Sequence, residues 1–312
     1  MPKLVRSRGS GGGTHLLEEL CNPTLQPFLD TSAKFEEAQY IIIGAPLDLT
    51  ASHRSGSRFA PDAIRQASLY LETYSPRTHL DWNDVEVADL GNLKGIDEVE
   101  GAIRNVETAS RLINAAGKVL VMLGGEHTIT LGALRALNPD VVVDLDAHLD
   151  LRHRLLGLEL SHATFMRRAL EELDHNLVVL GCRALSKEEL EFAEANTDRL
   201  KVVSAADLLK SGVNHGVEVV RRELEGASSA YLSIDMDVLD PASAPAVGNP
   251  SPEGISVTML LDLLAEVVDA RFSGFDLTEV APHYDSGLTA TQAAYITLEA
   301  IYTLESARRV EA

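Results

Sequence analysis

Asp146, His148 and Asp150 occupy alternate positions where an apolar run, Val141–Leu145, gives out. If the strand continues, alternate residues project to one side, and two carboxylates and an imidazole converge at its end. That convergence is electrostatically costly unless a cation lies among the groups. An oxygen and nitrogen donor set suits Mn²⁺, Zn²⁺ or another first-row divalent ion; the plain alternative is a polar strand-to-helix loop. Asp144 shares the alternation but sits deeper and reads as structural. A second run, Tyr231–Ile234, leads into Asp235 and Asp237, with Asp240 before Pro241 as a turn residue. A lone Asp-x-Asp is common, and this one gains weight from its match to the first cluster, because two acidic strand ends can share two metal ions. A third run, Val119–Leu123, is followed by Gly124 and Gly125, which let the backbone turn tightly and set His127 near the start of a helix. An isolated histidine there is more often a capping or packing residue, but a third metal-compatible strand end shifts the balance, and Glu126 reads as its support. The fourth run, Phe272–Leu277, contains Asp276 and precedes Glu279, a carboxylate that either faces the same site or is a solvated loop acid.

These runs belong to a longer series of candidate strands: Tyr40–Gly44, Val85–Leu90, Val119–Leu123, Val141–Leu145, Leu177–Leu180, Leu200–Val203, Tyr231–Ile234 and Phe272–Leu277. Most are β-branched and apolar on both faces, as buried parallel strands are. The segments between them are helical in pattern. Ile96, Val99, Ile103, Val106, Leu112 and Ile113 recur at helical spacing until Gly117 stops the run. Ser186-x-x-Glu189 and Thr289-x-x-Gln292 have the form of capping boxes, and Pro61 stands where a first-turn proline would open a helix. The alternation predicts one doubly wound α/β domain over residues 15–312, after a Gly/Ser/Arg-rich segment, 1–14, expected to be flexible. In such folds ligands bind beyond the carboxyl ends of the strands, which is where the acidic clusters lie.

A chain of 312 residues with 45% apolar content can bury a sizeable core. Its net charge of −20, with no Lys/Arg-rich block, argues against nucleic acid or an anionic membrane as partner and favours a small cationic molecule. Cys21 and Cys182 are too few for a disulfide framework or a thiolate metal site. No secretory signal or membrane-length apolar stretch is present, so a cytoplasmic protein is expected.

Taken together, the motifs resemble those of the ureohydrolases, the family of arginase, agmatinase and their relatives. The resemblance runs from Gly44-Ala-Pro-Leu-Asp48 through Arg58–Arg65, Gly124-Gly-Glu-His-Thr128, Asp146-Ala-His-Leu-Asp150 and Ser233–Pro241 to Glu279-Val-Ala-Pro282. It implies a three-layer α/β/α fold around an eight-stranded, mainly parallel sheet, with two Mn²⁺ ions per subunit. By the same resemblance His127, Asp146, Asp150 and Asp235 hold one ion, and Asp146, His148, Asp235 and Asp237 the other. Glu279 matches the carboxylate that holds a substrate guanidinium. His162, in Ser161-His-Ala-Thr164, matches a histidine placed over the site as a proton shuttle or substrate contact, and Asp150 is a second candidate for returning a proton to the leaving amine. Glu126 stands where arginases tend to carry Asp, and Ala163 where many members carry Gly. The stretch Leu151–Leu160 lacks the Ser and Asn with which arginases grip an amino acid's α-substituents. The missing Ser and Asn argue against arginine and favour a guanidino substrate without the α-carboxylate, agmatine first, cleaved to urea and putrescine. Arginine, guanidinobutyrate, free guanidine and formimidoylglutamate are alternative substrates, and a non-catalytic metal-binding homologue is a further alternative. The family implies a homo-oligomer, trimer or hexamer.

Overall fold

The computed structural model describes residues 11–311. Its strands are β1 (Cys21–Asn22), β2 (Tyr40–Ala45), β3 (Val87–Leu93), β4 (Val119–Gly124), β5 (Val141–Leu145), β6 (Asn176–Cys182), β7 (Leu200–Ser204), β8 (Ala230–Asp235) and β9 (Phe272–Thr278). They form one sheet in the order β1-β3-β2-β4-β9-β8-β5-β6-β7. All neighbours pair in parallel except β1, which runs antiparallel to β3 with Cys21 opposite Leu93. The sheet is thus nine-stranded rather than eight-stranded. The extra strand is a two-residue edge piece, too short to leave an alternation in the sequence.

The strands are apolar on both faces because each face is covered. Tyr40 and Ile42 of β2, Val119 and Val121 of β4, and Val141 and Val143 of β5 enter one core. The intervening Ile41, Ile43, Leu120, Met122 and Val142 enter the other. Helices Ala60–Ser68, Val257–Val267 and Leu288–Glu311 pack on the first side, through Ile64, Leu260 and Ile296. Helices Val99–Ala115, Thr130–Leu137 and Phe165–Glu172 pack on the second, through Ile103, Leu134 and Met166. The result is the three-layer α/β/α arrangement expected.

Local signals are realised unevenly. Ser186 caps helix Lys187–Ala195 in a complete capping box with Glu189, and a proline lies in the first turn of Ala60–Ser68. Thr289 caps nothing: it lies inside helix Leu288–Glu311, and its N–H and hydroxyl both donate to Asp285 Oδ2, at 2.8 and 2.7 Å. Asp285 stands just before the helix and takes the role that the Thr-x-x-Gln pattern suggested for Thr289. Of the 1–14 segment expected to be flexible, residues 1–10 lie outside the described residues, and 11–14 begin helix Gly11–Leu20. Among the described residues no helix is long and apolar enough to cross a membrane.

Candidate metal and substrate site

Strands β4, β9, β8 and β5 are consecutive across the middle of the sheet, though far apart in sequence. Because they run parallel, their carboxyl ends lie on one edge, bringing together His127 after β4, Glu279 after β9, Asp235 and Asp237 at the end of β8, and Asp146, His148 and Asp150 after β5. Donor atoms of His127, Asp146 and Asp235 lie within 4.8 Å of one another, as do those of Asp146, His148 and Asp237. Asp146 is common to both groups, and Asp235 falls in the first. Asp150 stands beside that group, with Oδ2 3.3 Å from His127 Nδ1.

The hydrogen bonds decide the state of His127. Ser233 on β8 donates to Asp276 Oδ1 at 2.7 Å, so its one hydroxyl proton is used. His127 Nε2, 2.8 Å from the same Oγ, must therefore be the donor in that contact. When the ring is neutral, Nδ1 then presents a lone pair to Asp146, Asp150 and Asp235 at 3.5, 3.3 and 3.3 Å. Lone pairs facing carboxylates repel unless a proton or a metal ion lies between them. Among the described residues, His127 Nδ1 and Asp146 Oδ2 are both buried without a hydrogen-bond partner. These residues fit a divalent cation.

The titration behaviour has the same origin. Burial would lower the His127 pKa, but the carboxylates of Asp146, Asp150 and Asp235 beside Nδ1 raise it well above its ordinary value. Burial, with Asp146 beside it, pushes the Asp150 carboxyl up to about 7. Asp235 rises well above the carboxylate range through burial and the charges of Asp237 and Asp146. Without a metal the cluster gathers protons; a bound cation replaces them. His148 Nδ1 lies 3.1 Å from Asp237 Oδ2 and 3.5 Å from Asp146 Oδ1. The His148 N–H donates to Asp146 Oδ1 and the Asp237 N–H to Asp235 Oδ1, both at 2.7 Å, which sets the remaining oxygens toward the centre.

A cleft of about 330 Å³ opens over this cluster. His162 and Glu279 are on its wall. Burial pushes the Glu279 carboxyl up to about 8, against the hydrogen bond from the His127 N–H, which reaches Oε1 at 2.8 Å. Glu279 and Asp150 both have positive φ, 65° and 52°, a region that few residues other than glycine enter and where strain collects at functional sites. Gly248 leaves room for Glu279: a Cβ there would lie 2.7 Å from Oε2. Asp144 lies beneath the cluster, wholly buried, its carboxyl pushed well above the ordinary range by burial. Asp240 is the turn residue expected, accepting from the Ala242 and Gly254 N–H groups.

Several supporting residues carry no sequence signal of their own. Arg183 donates to the carbonyls of Asp237, Val238, Leu239 and Ser251 and so braces the loop that bears Asp237. Glu126, unlike Arg183, is marked by its place before His127 as support, and it supports the site without joining it. It accepts from Leu49 N, Thr50 N, Thr50 Oγ1 and Thr128 Oγ1, which occupies its oxygens. Thr50 and Ser52, in the loop after β2, contact His162. Their one available signal is position: they too follow the carboxyl end of a central strand.

Residues 38–302 match the model of the arginase family. The agmatinase of Bacillus subtilis (strain 168) is 36% identical over 281 residues, covering 87% of this chain and 94% of that protein. The guanidinobutyrase of Pseudomonas aeruginosa is 32% identical over 288 residues, covering 89% of this chain and 90% of that protein. The crystal structure of the agmatine ureohydrolase of Thermoplasma volcanium superposes with a TM-score of 0.86 at 36% identity, over 93% of this chain and 97% of that one. The match runs through all four strand ends that meet at the cleft, and the chain belongs to the arginase family, whose members are hydrolases acting on guanidino compounds.

Proposed function

We propose that this protein hydrolyses agmatine to urea and putrescine at a centre of two Mn²⁺ ions. The observation that carries the reading is the His127 Nδ1 lone pair turned toward Asp146, Asp150 and Asp235. In this reading His127, Asp146, Asp150 and Asp235 would hold one ion, and Asp146, His148, Asp235 and Asp237 would hold the other. Ions bound there would supply Lewis acidity that makes water nucleophilic near neutral pH, which a resonance-stabilised guanidinium carbon requires.

Glu279 orients the substrate. Its Oε1 is engaged by the His127 N–H, and the carboxylate as a whole can pair with a planar guanidinium through charge-assisted hydrogen bonds. That pairing fixes the carbon within reach of attack. Asp150 passes a proton to the leaving amine, or His162 does so after first taking one up at Nε2. The missing Ser and Asn in Leu151–Leu160, the agmatinase relative and the net charge of −20 support agmatine over arginine. One observation favours a second substrate for the same reaction. Arg152 lies on the cleft wall, 3.6 Å from Glu189, where its charge would suit the distal carboxylate of guanidinobutyrate. In this proposal the partner is a small guanidino compound; the cytoplasm as its place of action and a homo-oligomer, trimer or hexamer, are expectations from the sequence and from the family resemblance.

The test is urea release from agmatine, guanidinobutyrate and arginine, after chelation and after adding back Mn²⁺. Agmatine is expected to give the highest kcat/KM, and activity to vanish on chelation. Guanidinobutyrate or arginine in first place would overturn the substrate. Full activity in protein shown metal-free by elemental analysis would overturn the centre.

A further inference from the structure

The hydrogen bonds around His162 can be assigned proton by proton. Glu126 Oε1 accepts from Thr50 Oγ1 at 2.7 Å and from Thr128 Oγ1 at 2.6 Å. Glu126 Oε2 accepts from Leu49 N and Thr50 N, each at 2.7 Å. All four contacts therefore come from donors, two to each oxygen. Thr50 has one hydroxyl proton and spends it on Glu126, so its oxygen can only accept from its other neighbours. Those are the His162 N–H, at 3.0 Å, and the His162 ring Nδ1, at 3.1 Å. Nδ1 must therefore carry a proton. Burial lowers the His162 pKa, which keeps the ring neutral and leaves Nε2 unprotonated. Ser52 Oγ, 3.1 Å from Nε2, then has to donate to it. With that proton committed, Ser52 meets the cleft it lines with lone pairs alone.

We infer that Glu126 and Thr50 are positioning residues that hold His162 in its Nδ1–H tautomer, and that Ser52 is thereby set as an acceptor for an N–H-rich group of the substrate. The chain of bonds runs Glu126, Thr50, His162, Ser52, with each proton pointing toward a stated acceptor. Its inner end is a buried carboxylate and its outer end a polarised hydroxyl on the cleft wall. A guanidinium or ammonium group has only donors to offer and fits that hydroxyl; a carbonyl or carboxylate has only acceptors and does not. The substrate clause rests on the proposed hydrolysis, whereas the tautomer does not.

Solid-state nitrogen NMR of the full-length protein labelled with ¹⁵N-histidine and loaded with diamagnetic Mg²⁺ reads the tautomer directly, with His162→Gln identifying the resonances. The expected spectrum has a protonated Nδ1 and an unprotonated Nε2. Thr50→Val keeps the side-chain shape and removes the acceptor. It should mix the tautomers and lower kcat of the Mn²⁺ enzyme by at least ~10-fold, because a ring in the wrong tautomer cannot take the proton, while KM changes little. Thr50→Ser should restore both. Ser52→Ala should raise KM for agmatine and leave the His162 tautomer as it was. A protonated Nε2 in the wild type, or a Thr50→Val spectrum identical to wild type, overturns the assignment. The wild-type spectrum decides the tautomer even if Thr50→Val fails to fold. If the wild type releases no urea while the NMR result holds, the proposed reaction falls and the positioning of His162 stands.

Discussion

His127 shows how much a single hydroxyl can determine. Asp276 accepts a hydrogen bond from the Ser233 hydroxyl, Ser233 Oγ accepts one from His127 Nε2–H, and the opposite nitrogen is left facing carboxylates. Ser233→Ala removes that orientation without touching a donor atom of the cluster. Manganese affinity, read by titration of metal-free protein, should weaken by ~10–100-fold, the usual effect of losing a hydrogen-bond partner behind a metal ligand. Asp237→Ala, by contrast, should lose metal and activity together. Glu279→Gln should keep its manganese content near wild type while kcat/KM falls by ~100-fold or more, since a misplacement of ~1 Å is enough for that loss. Gly248→Ala should give the same pattern, because the added methyl carbon would sit 2.7 Å from Glu279 Oε2. Loss of manganese in Glu279→Gln would show that Glu279 holds metal rather than substrate.

At the level of elements, strand ends and helix caps are coupled. Glu189 completes the cap of helix Lys187–Ala195 by accepting from Ser186 N at 2.8 Å and Ser186 Oγ at 2.7 Å. It also accepts from Leu151 N at 3.3 Å and pairs with Arg152, so the helix start anchors the loop that leaves Asp150. Ser186→Ala should cost about 1 kcal/mol, as loss of an N-cap does, visible as a lower urea midpoint. The box was legible in the sequence because both partners lie within one turn. The Thr289 pattern misled because Asp285, four residues earlier, competes for the same N–H and holds it at 2.8 Å.

For the whole molecule, charge and burial set the response to solution conditions. With a net charge of −20, the field draws a dication at low ionic strength, and KM for agmatine should rise as salt screens it. Acid stability should depend on His175, which is 2% exposed and whose ring nitrogens have no hydrogen-bond partner among the described residues. Burial, then Arg199, pushes its pKa down from 6.5 to about 4. Between those values the unfolded chain binds the proton and the folded chain does not. Stability from this group is therefore full above about pH 6.5 and lost as pH falls toward 4. The loss amounts to at most about 3 kcal/mol. His175→Gln should flatten that part of the stability profile, measured by urea unfolding in the presence of chelator at pH 7.5 and pH 5. An unchanged slope would mean other groups govern the acid limb.

The β-branched apolar runs were enough to locate the strands, and the Asp-x-His-x-Asp and Asp-x-Asp spacings were enough to single out strand ends that the sheet brings together. Both are local properties, written in residues a few positions apart. What the tertiary structure alone decided was adjacency. β4 and β5 follow each other in sequence, yet β9 and β8 lie between them in the sheet, and only that order brings His127, Glu279, Asp235 and Asp146 to one stretch of the sheet edge. The antiparallel edge strand escaped the sequence because two residues cannot show a period. Thr50, Ser52, Ser233 and Arg183 escaped it for another reason. Threonine, serine and arginine are ordinary in loops and strands, and their roles come from the acceptors that distant chain segments place beside them. Proton positions in this site follow from that long-range placement, which no local pattern encodes.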